Sequence, residues 1–434
     1  ALAAHNLDGD GRNTAIGSSA GEDITSGTKN IAIGKNALAT ATTALSVVAI
    51  GDSAMGATAT GNTHTGTVAI GDSALAALTS GAGNVAVGYQ AMDTTTTGQK
   101  NVAVGYTALS AGTGNSYNVA IGYESMLVAN GADDNIAIGY RAGYALTTGD
   151  NNTIIGYGAG IATQDVDQVV IIGQGAGAGV MTGGTGADGT IAIGKQAGAA
   201  ITSGHQNTAI GYEALKVQTT GANNVAIGWQ ALVAANHVNA DSNVAVGSYA
   251  GNSLTSGQEN VMIGYDADTS AVGSINQIVI GKGATGQADN SVTLGNADVT
   301  AVYMASDKGA NVYCAELYAS SEIGIGLESP ATDLHIWNAS GESAIRVDGG
   351  EGGVARLMLN ADQADDNADY QDIYAGTDGS MAFRSYSTGS WVNRMHIDSS
   401  GHVGIGAIPN NHGGMNKALE VIATSDAQIT IHAT

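Results

Sequence analysis

Few residue sets in this chain have the types and spacing that chemistry demands. The segment NLDGDG at 6–11 begins like a calcium loop, with alternating oxygen donors and a glycine for the turn. The bidentate acid such a loop needs six positions after that glycine falls on Gly17, so the ligand set fails. GGTGAD at 183–188 is nearly one calcium-binding nonapeptide, but such sites need tandem copies and this one stands alone, so it reads as a loop. Gly281, Gly283 and Gly286 have dinucleotide-turn spacing, yet they sit inside a repeat with no helix after them. His335, His396, His402, His412 and His432 crowd the last 100 residues without a His-x-His pair and read as ordinary strand or loop positions. Asp362, Asp365, Asp366, Asp369 and Asp372 read as a solvated acidic loop in preference to a weak cation site. No carboxylate pair and no Ser/His/Asp or Cys/His set recurs at constrained positions, and Cys314 is the only cysteine. The expectation is a protein that is not an enzyme and uses no cofactor or metal.

The pattern that remains is aromatic. Tyr89, Tyr106, Tyr123, Tyr140, Tyr157, Tyr212, Trp229 and Tyr265 each directly follow a glycine that closes a repeated pentad. Aromatic faces stack on sugars and phenols donate hydrogen bonds, so the column reads as a receptor or glycan contact stripe. The preferred reading is a stacking ladder that simply stabilises a corner of the fold, as side-chain ladders do in stacked strands.

What positions that column is a repeat. The pentad Asn-Val-Ala-Ile-Gly closes at Gly17, Gly34, Gly51, Gly71, Gly88, Gly105, Gly122, Gly139, Gly156, Gly173, Gly194, Gly211, Gly228, Gly247, Gly264, Gly281 and Gly295. Twelve of the 16 intervals are 17 residues, and the others are 20, 21, 19 and 14. The pentad is short, β-branched and bounded by Asn and Gly, which is a strand signature. Seventeen residues are too few for a strand and a crossover helix. They suffice for one coil of a parallel β-solenoid: a strand, a glycine corner, a second short strand at Ala-Leu and a Thr-Gly return. Sixteen coil steps at strand spacing give a rod of ~75–80 Å.

Val and Ile of the pentad share one strand face and Asn, Ala and Gly the other. Both faces are apolar or small, which marks a strand buried on both sides. A narrow coil is expected to take the small residues inside and turn the Val/Ile face to neighbouring chains, with the reverse assignment as the alternative, and the Asn column to stack as an amide ladder.

Composition agrees with a rod. Of 434 residues 65 are Gly, 2 are Pro and 12% are charged, and aromatic residues make up 5%. That is too little bulk for a conventional core, yet the runs of Ala and β-branched residues are ordered. A net charge of −24 sets the chain against phosphate backbones, which excludes nucleic-acid binding. No apolar stretch is long enough to span a bilayer as a helix, so no membrane insertion is expected within this chain.

The Asn-Val-Ala-Ile-Gly-x-x-Ala repeat, and above all the 14-residue turn GKGATGQADNSVTLG at 281–295, resembles the head repeats of trimeric autotransporter adhesins of the YadA type. The resemblance covers about residues 13–299 and implies a left-handed parallel β-roll in which three chains associate along one axis. The 17-residue coils depart from that family, and Leu or Met after the second Ala would fill the added width; this longer form resembles arrays in bacteriophage tail-fibre proteins. Residues 300–322 form a connector. A β-rich fibre module then runs over 323–402, with Ile323-Gly-Ile-Gly leading to Pro330 and LHI at 334–336. A second copy begins at Val403-Gly-Ile-Gly and occupies 403–434, shorter than the first. Between the copies, 355–359 and 393–398 alternate as antiparallel strands do. The unit is similar to modules that precede an intramolecular chaperone in phage tail fibres and spikes. Ala1-Leu2 matches the middle of a coil whose glycine would lie upstream, so the chain is expected to be a fragment or processed product of a longer fibre.

These readings imply a homotrimeric structural fibre subunit on a phage tail that binds a host cell-surface glycan or protein receptor and joins other tail or fibre proteins. The alternatives are a bacterial trimeric surface adhesin and a polysaccharide-degrading tail spike.

Overall fold

The computed structural model describes residues 11–57, 64–182, 186–300, 302, 323–325, 334–336, 345–349, 353–360, 370–387, 390–405 and 419–421. They are all-β, with no helix among them, and fall into two compact units, Ala1–Ala310 and Asn311–Thr434.

The first unit is a parallel β-solenoid. Its 17-stranded sheet runs from β1 (Thr14–Ile16) to β17 (Ser291–Leu294), each strand hydrogen-bonded to its sequence neighbour. The register never slips: Ala49 pairs with Ala69 across the 20-residue interval and Ile171 with Ala192 across the 21-residue one. Longer coils therefore place their extra residues in the return, away from the strand. Each strand turns its middle residue inward, and Ala32, Ala86 and Ala120 are fully buried. The flanking Val and Ile stay half-open, with Ile31, Ile70, Ile136, Ile227, Ile263 and Ile280 each 36–39% exposed. Small residues inside and Val/Ile outside is the arrangement that the narrow coil requires.

The second short strand expected at Ala-Leu is not a strand. The segment after each glycine is a run of turns, and both members of the pair are buried, as Ala108 and Leu109 are. Consecutive strand residues point to opposite faces, so a strand could not bury both. Here Leu109 has φ 51°, and Leu38, Met55, Leu75, Met92 and Met126 repeat that left-handed geometry. This explains the residue choice: from 21 to 251 the column holds only Leu, Met and Gly, because β-branched side chains tolerate positive φ worst.

Volume is conserved inside each coil. Where the inward strand residue is large, the turn residue facing it is Gly: a Cβ on Gly177 would lie 2.8 Å from Ile171 Cδ1, and one on Gly143 would lie 3.3 Å from Ile154 Cδ1. Where the strand residue is Ala, the bulk comes from a Leu or Met in the turn, as in the coil of Ala86 and Met92. Where that turn residue is also Gly, it comes from a larger residue three positions on, as Ile201 does beside Gly198 and Ala192. A close-packed interior of fixed width demands this exchange.

The amide ladder lies inside the coil and is load-sharing in two directions. Asn118 Oδ1 accepts the Asn135 backbone N–H at 2.9 Å, and its Nδ2 donates to the Ala132 carbonyl at 2.7 Å. Asn84 and Asn101 make the same pair of contacts. Before it ends in Gln277 and Ser291, the column is interrupted at Val47/Thr67 and at Val169/Thr190, in the 20- and 21-residue coils. There the orphaned N–H turns back within its own coil, Thr67 to the His64 carbonyl at 3.2 Å and Thr190 to the Ala187 carbonyl at 3.3 Å.

The first break buries a titratable group. His64 is 1% exposed, its Nε2 lies 2.9 Å from the Thr79 carbonyl, and its Nδ1 has no partner among the described residues. Burial holds the imidazole below its ordinary value of 6.5. The unfolded chain thus takes up a proton before the folded one does, so stability is full above 6.5 and falls as the pH drops toward the folded value. Amide protection around residues 64–71 is expected to weaken between neutral pH and about pH 5, and His64→Asn to remove the effect. Equal protection factors at both pH values would contradict this.

The second unit contains an antiparallel sheet of β20 (Ala355–Asn360), β21 (Tyr370–Ala375), β22 (Met381–Ser387), β23 (Ser390–Ile397) and β24 (Val403–Ile405), extended in parallel by β25 (Leu419–Val421). The two segments read as antiparallel strands, 355–359 and 393–398, fall on β20 and β23, with two further strands between them. The two Gly-Ile-Gly copies adopt one local pairing. β18 (Ile323–Ile325) pairs in parallel with β19 (Leu334–Ile336) as β24 does with β25, matching Gly324 to His335 and Gly404 to Glu420.

Candidate functional site

The aromatic column occupies the corner between the strand and the run of turns. Gly88 and its equivalents have φ 130–146° along most of the stack, which turns the chain sharply out of the strand. The next residue is then presented outward at the same place in every coil. From Tyr89 to Tyr157 five rings form one continuous stack. Centroids lie 5.1, 5.1, 5.3 and 4.8 Å apart, with interplanar angles of 8–14°. Tyr212 and Trp229 form a separate stacked pair at 4.1 Å. Tyr265 belongs to neither; it meets Tyr249 edge-on at 6.0 Å. Tyr249 is two residues after its glycine, so a search of the position directly after the glycine misses it.

This geometry changes what the column can do. Stacked rings cover one another's faces, so the interior members Tyr106, Tyr123 and Tyr140 offer no free face for a sugar to lie on. They are 38–45% exposed, which with both faces stacked leaves ring edge and phenol toward solvent. Tyr157, at the end of the stack, is 61% exposed. From Tyr89 to Tyr157 the column is thus a stacking ladder whose members remain partly open to solvent.

The residues beside the rings set the electrostatics. Glu124 and Arg141 pair across adjacent coils at 2.6 Å, and the Arg141 guanidinium lies over Tyr140 at 5.4 Å and Tyr144 at 5.2 Å. A hydrogen bond to Glu124 pushes the Tyr123 phenol above its ordinary range, and Glu213 does the same to Tyr212. Glu213 is held below the usual carboxylate range by Lys216 and Gln230, each at 2.7 Å. Lys195 sits 5.9 Å over the Tyr212 ring. Raised from an ordinary value of 10, the phenols of Tyr123 and Tyr212 stay protonated at neutral pH.

The other sequence candidates have structural places. Gly281 is a coil corner with φ 139°, and Gly283 a left-handed turn residue with φ 59°. Asp188 ends a column of carboxylates that cap backbone N–H groups of the preceding coil: Asp133 bonds Ser116, Asp150 bonds Asp133, Asp167 bonds Asp150 and Asp188 bonds Asp167, at 2.7–2.9 Å. Asn6–Asp10 and Gly183–Thr185 lie outside the described residues. The same is true of Asp362, Asp365, Asp366, Asp369, His412 and His432.

Asp372 departs from the loop reading. It is a buried residue of β21, gripped by Arg384 through Nε at 2.8 Å and through Nη2, with Arg356 at 3.9 Å. Arg384 is itself covered by Tyr374, 3.6 Å from the ring centroid, and by Trp391. A buried carboxylate keeps its charge only when so paired, which the sequence spacing of five aspartates does not reveal. His396 is buried on β23, and His402 Nδ1 lies 2.9 Å from Asp398, whose carboxyl is held low by the His402 backbone N–H and ring.

Among the described residues no group of three or more His, Cys, Asp or Glu is arranged to hold a metal ion, and no helix is long and apolar enough to cross a membrane. No protein-family model and no curated protein matches the chain.

Proposed function

We propose that this chain is a non-catalytic structural rod, a homotrimeric fibre subunit of a phage tail that attaches to a host cell surface. One observation carries the reading: the two half-open rows, Val and Ile at most positions with Thr at 14, 153 and 208 and Leu at 294, that run the length of the 17-stranded sheet. A continuous apolar stripe on a rod this acidic is a partner surface. The chain's own copies are the partner that repeats with the same coil spacing. Three parallel copies sharing an axis bury the stripe on every chain and leave the aromatic corners outward. Repeated weak contacts along three such edges then add as avidity toward a host glycan or protein receptor.

Sedimentation and light scattering measure the mass directly. A species of three chains is expected, and a pair of lysines placed in the stripe, Val104→Lys with Ile121→Lys, is expected to break it into monomers. A monomeric wild-type chain would defeat the proposal.

A further inference from the structure

We infer that the Tyr89–Tyr157 stack is a track for an uncharged, extended β-1,4-linked polysaccharide lying along the rod, one sugar per coil. The inference rests on the attachment reading above and gives it a ligand class. Five phenol edges stand in line with centroid steps of 4.8–5.3 Å and tilts of at most 14°. An extended β-1,4-linked chain is a flat ribbon that advances by nearly that distance per sugar, so one sugar meets each phenol across all five rungs, successive sugars being turned over so that the same hydroxyl edge returns at every second rung. A helical α-linked chain drifts out of step after one or two. Because the ring faces are occupied by each other, recognition falls to edge contacts and to phenol hydrogen bonds, which suit the equatorial hydroxyl rim of such a ribbon.

Charge narrows the class further. Glu124 stands beside Tyr123, Asp72 takes the same corner position one coil before Tyr89, and Arg141 is already paired with Glu124. Together with the net charge of −24 these groups repel acidic polymers, which leaves neutral ones. Gln174 takes the corner position one coil after Tyr157, so the aromatic run is five rungs long.

The probes are cello-oligosaccharides and N-acetyl chito-oligosaccharides of two to six sugars, with malto-oligosaccharides as the α-linked counterpart, titrated calorimetrically against the intact chain. Affinity for at least one β-linked series is expected to rise about tenfold or more from dimer to pentamer and then level off, since each added sugar meets a tethered site. Whichever series responds identifies the source. Tyr123→Ala divides the track, and its pentamer affinity is expected to fall to that of the dimer; Tyr123→Phe keeps the stack and is expected to lose a smaller part. Tyr265→Ala, outside the track, is expected to bind as the wild type does. Absence of binding to both β-linked series, affinity that ignores chain length, or equal binding of the α-linked series would overturn the inference. Rods that fail these titrations but still adsorb to host cells would sink the track alone and leave the attachment reading standing.

Discussion

Gly105→Ala is expected to destabilise the coil stack by about 3 kcal/mol or more, while Gly131→Ala costs about 1–2 kcal/mol. Both glycines have positive φ, 146° and 90°, so both substitutions strain the backbone. They differ in what a Cβ would meet. At Gly105 it would lie 2.2 Å from the Gly122 carbonyl oxygen and 2.6 Å from its carbon, and both atoms are backbone of the next coil. No rotamer change relieves that contact; the two coils must separate, which stretches the 2.8 Å bond from Gly122 N–H to the Val104 carbonyl. At Gly131 nothing lies within 4 Å of the added atom. Urea unfolding of the two variants, with hydrogen exchange to localise the opening, checks the difference. Equal losses would mean that the corner glycines serve only their φ and not the close approach of successive coils.

Asn118→Leu is expected to cost about 3 kcal/mol although it adds apolar bulk to an apolar interior. The side chain leaves behind two buried backbone groups, the Asn135 N–H and the Ala132 carbonyl, which it bonds at 2.9 and 2.7 Å. Each unsatisfied group costs about 1–3 kcal/mol, and burial of the new methyls offsets only part of that. The natural breaks show what tolerance requires. Val47 and Val169 stand in the same column, but each is followed by a lengthened coil whose Thr67 or Thr190 N–H bonds backward instead. A 17-residue coil has no such slack. Exchange of the Asn135 amide reports the loss directly, and unchanged protection in the variant would show that the ladder is ornamental. Asn118→Thr is expected to fall between wild type and Leu.

These two expectations mark where local and distant causes meet. The sequence by itself determined the coil length and the strand position, because alternation and chain reversal are properties of a few adjacent residues. Which of the two small or apolar strand faces turns inward was decided by the closed coil, which buries Ala32, Ala86 and Ala120. The sequence determined also that an aromatic residue recurs at one corner from 89 to 157. It left open which atoms the Asn column satisfies, since the accepting carbonyls of 115, 132 and 149 lie 14 residues ahead, in the return of the next coil. It misassigned the Ala-Leu segment, because burying two neighbours at once depends on a left-handed φ that is enforced by hydrogen bonds to flanking coils, such as Leu109 N–H to the Ser125 carbonyl.

At the candidate site the division is the same. Spacing placed the tyrosines in one line, but whether rings in line stack by face or splay toward solvent depends on the pitch and twist of the assembled stack, which only the tertiary structure sets. Tyr249 joins Tyr265, and Asp372 joins Arg384, through neighbours brought in by β-pairing and not by sequence proximity. Periodic backbone was written in short-range sterics; contact between side chains was decided by how closely one coil rests on the next.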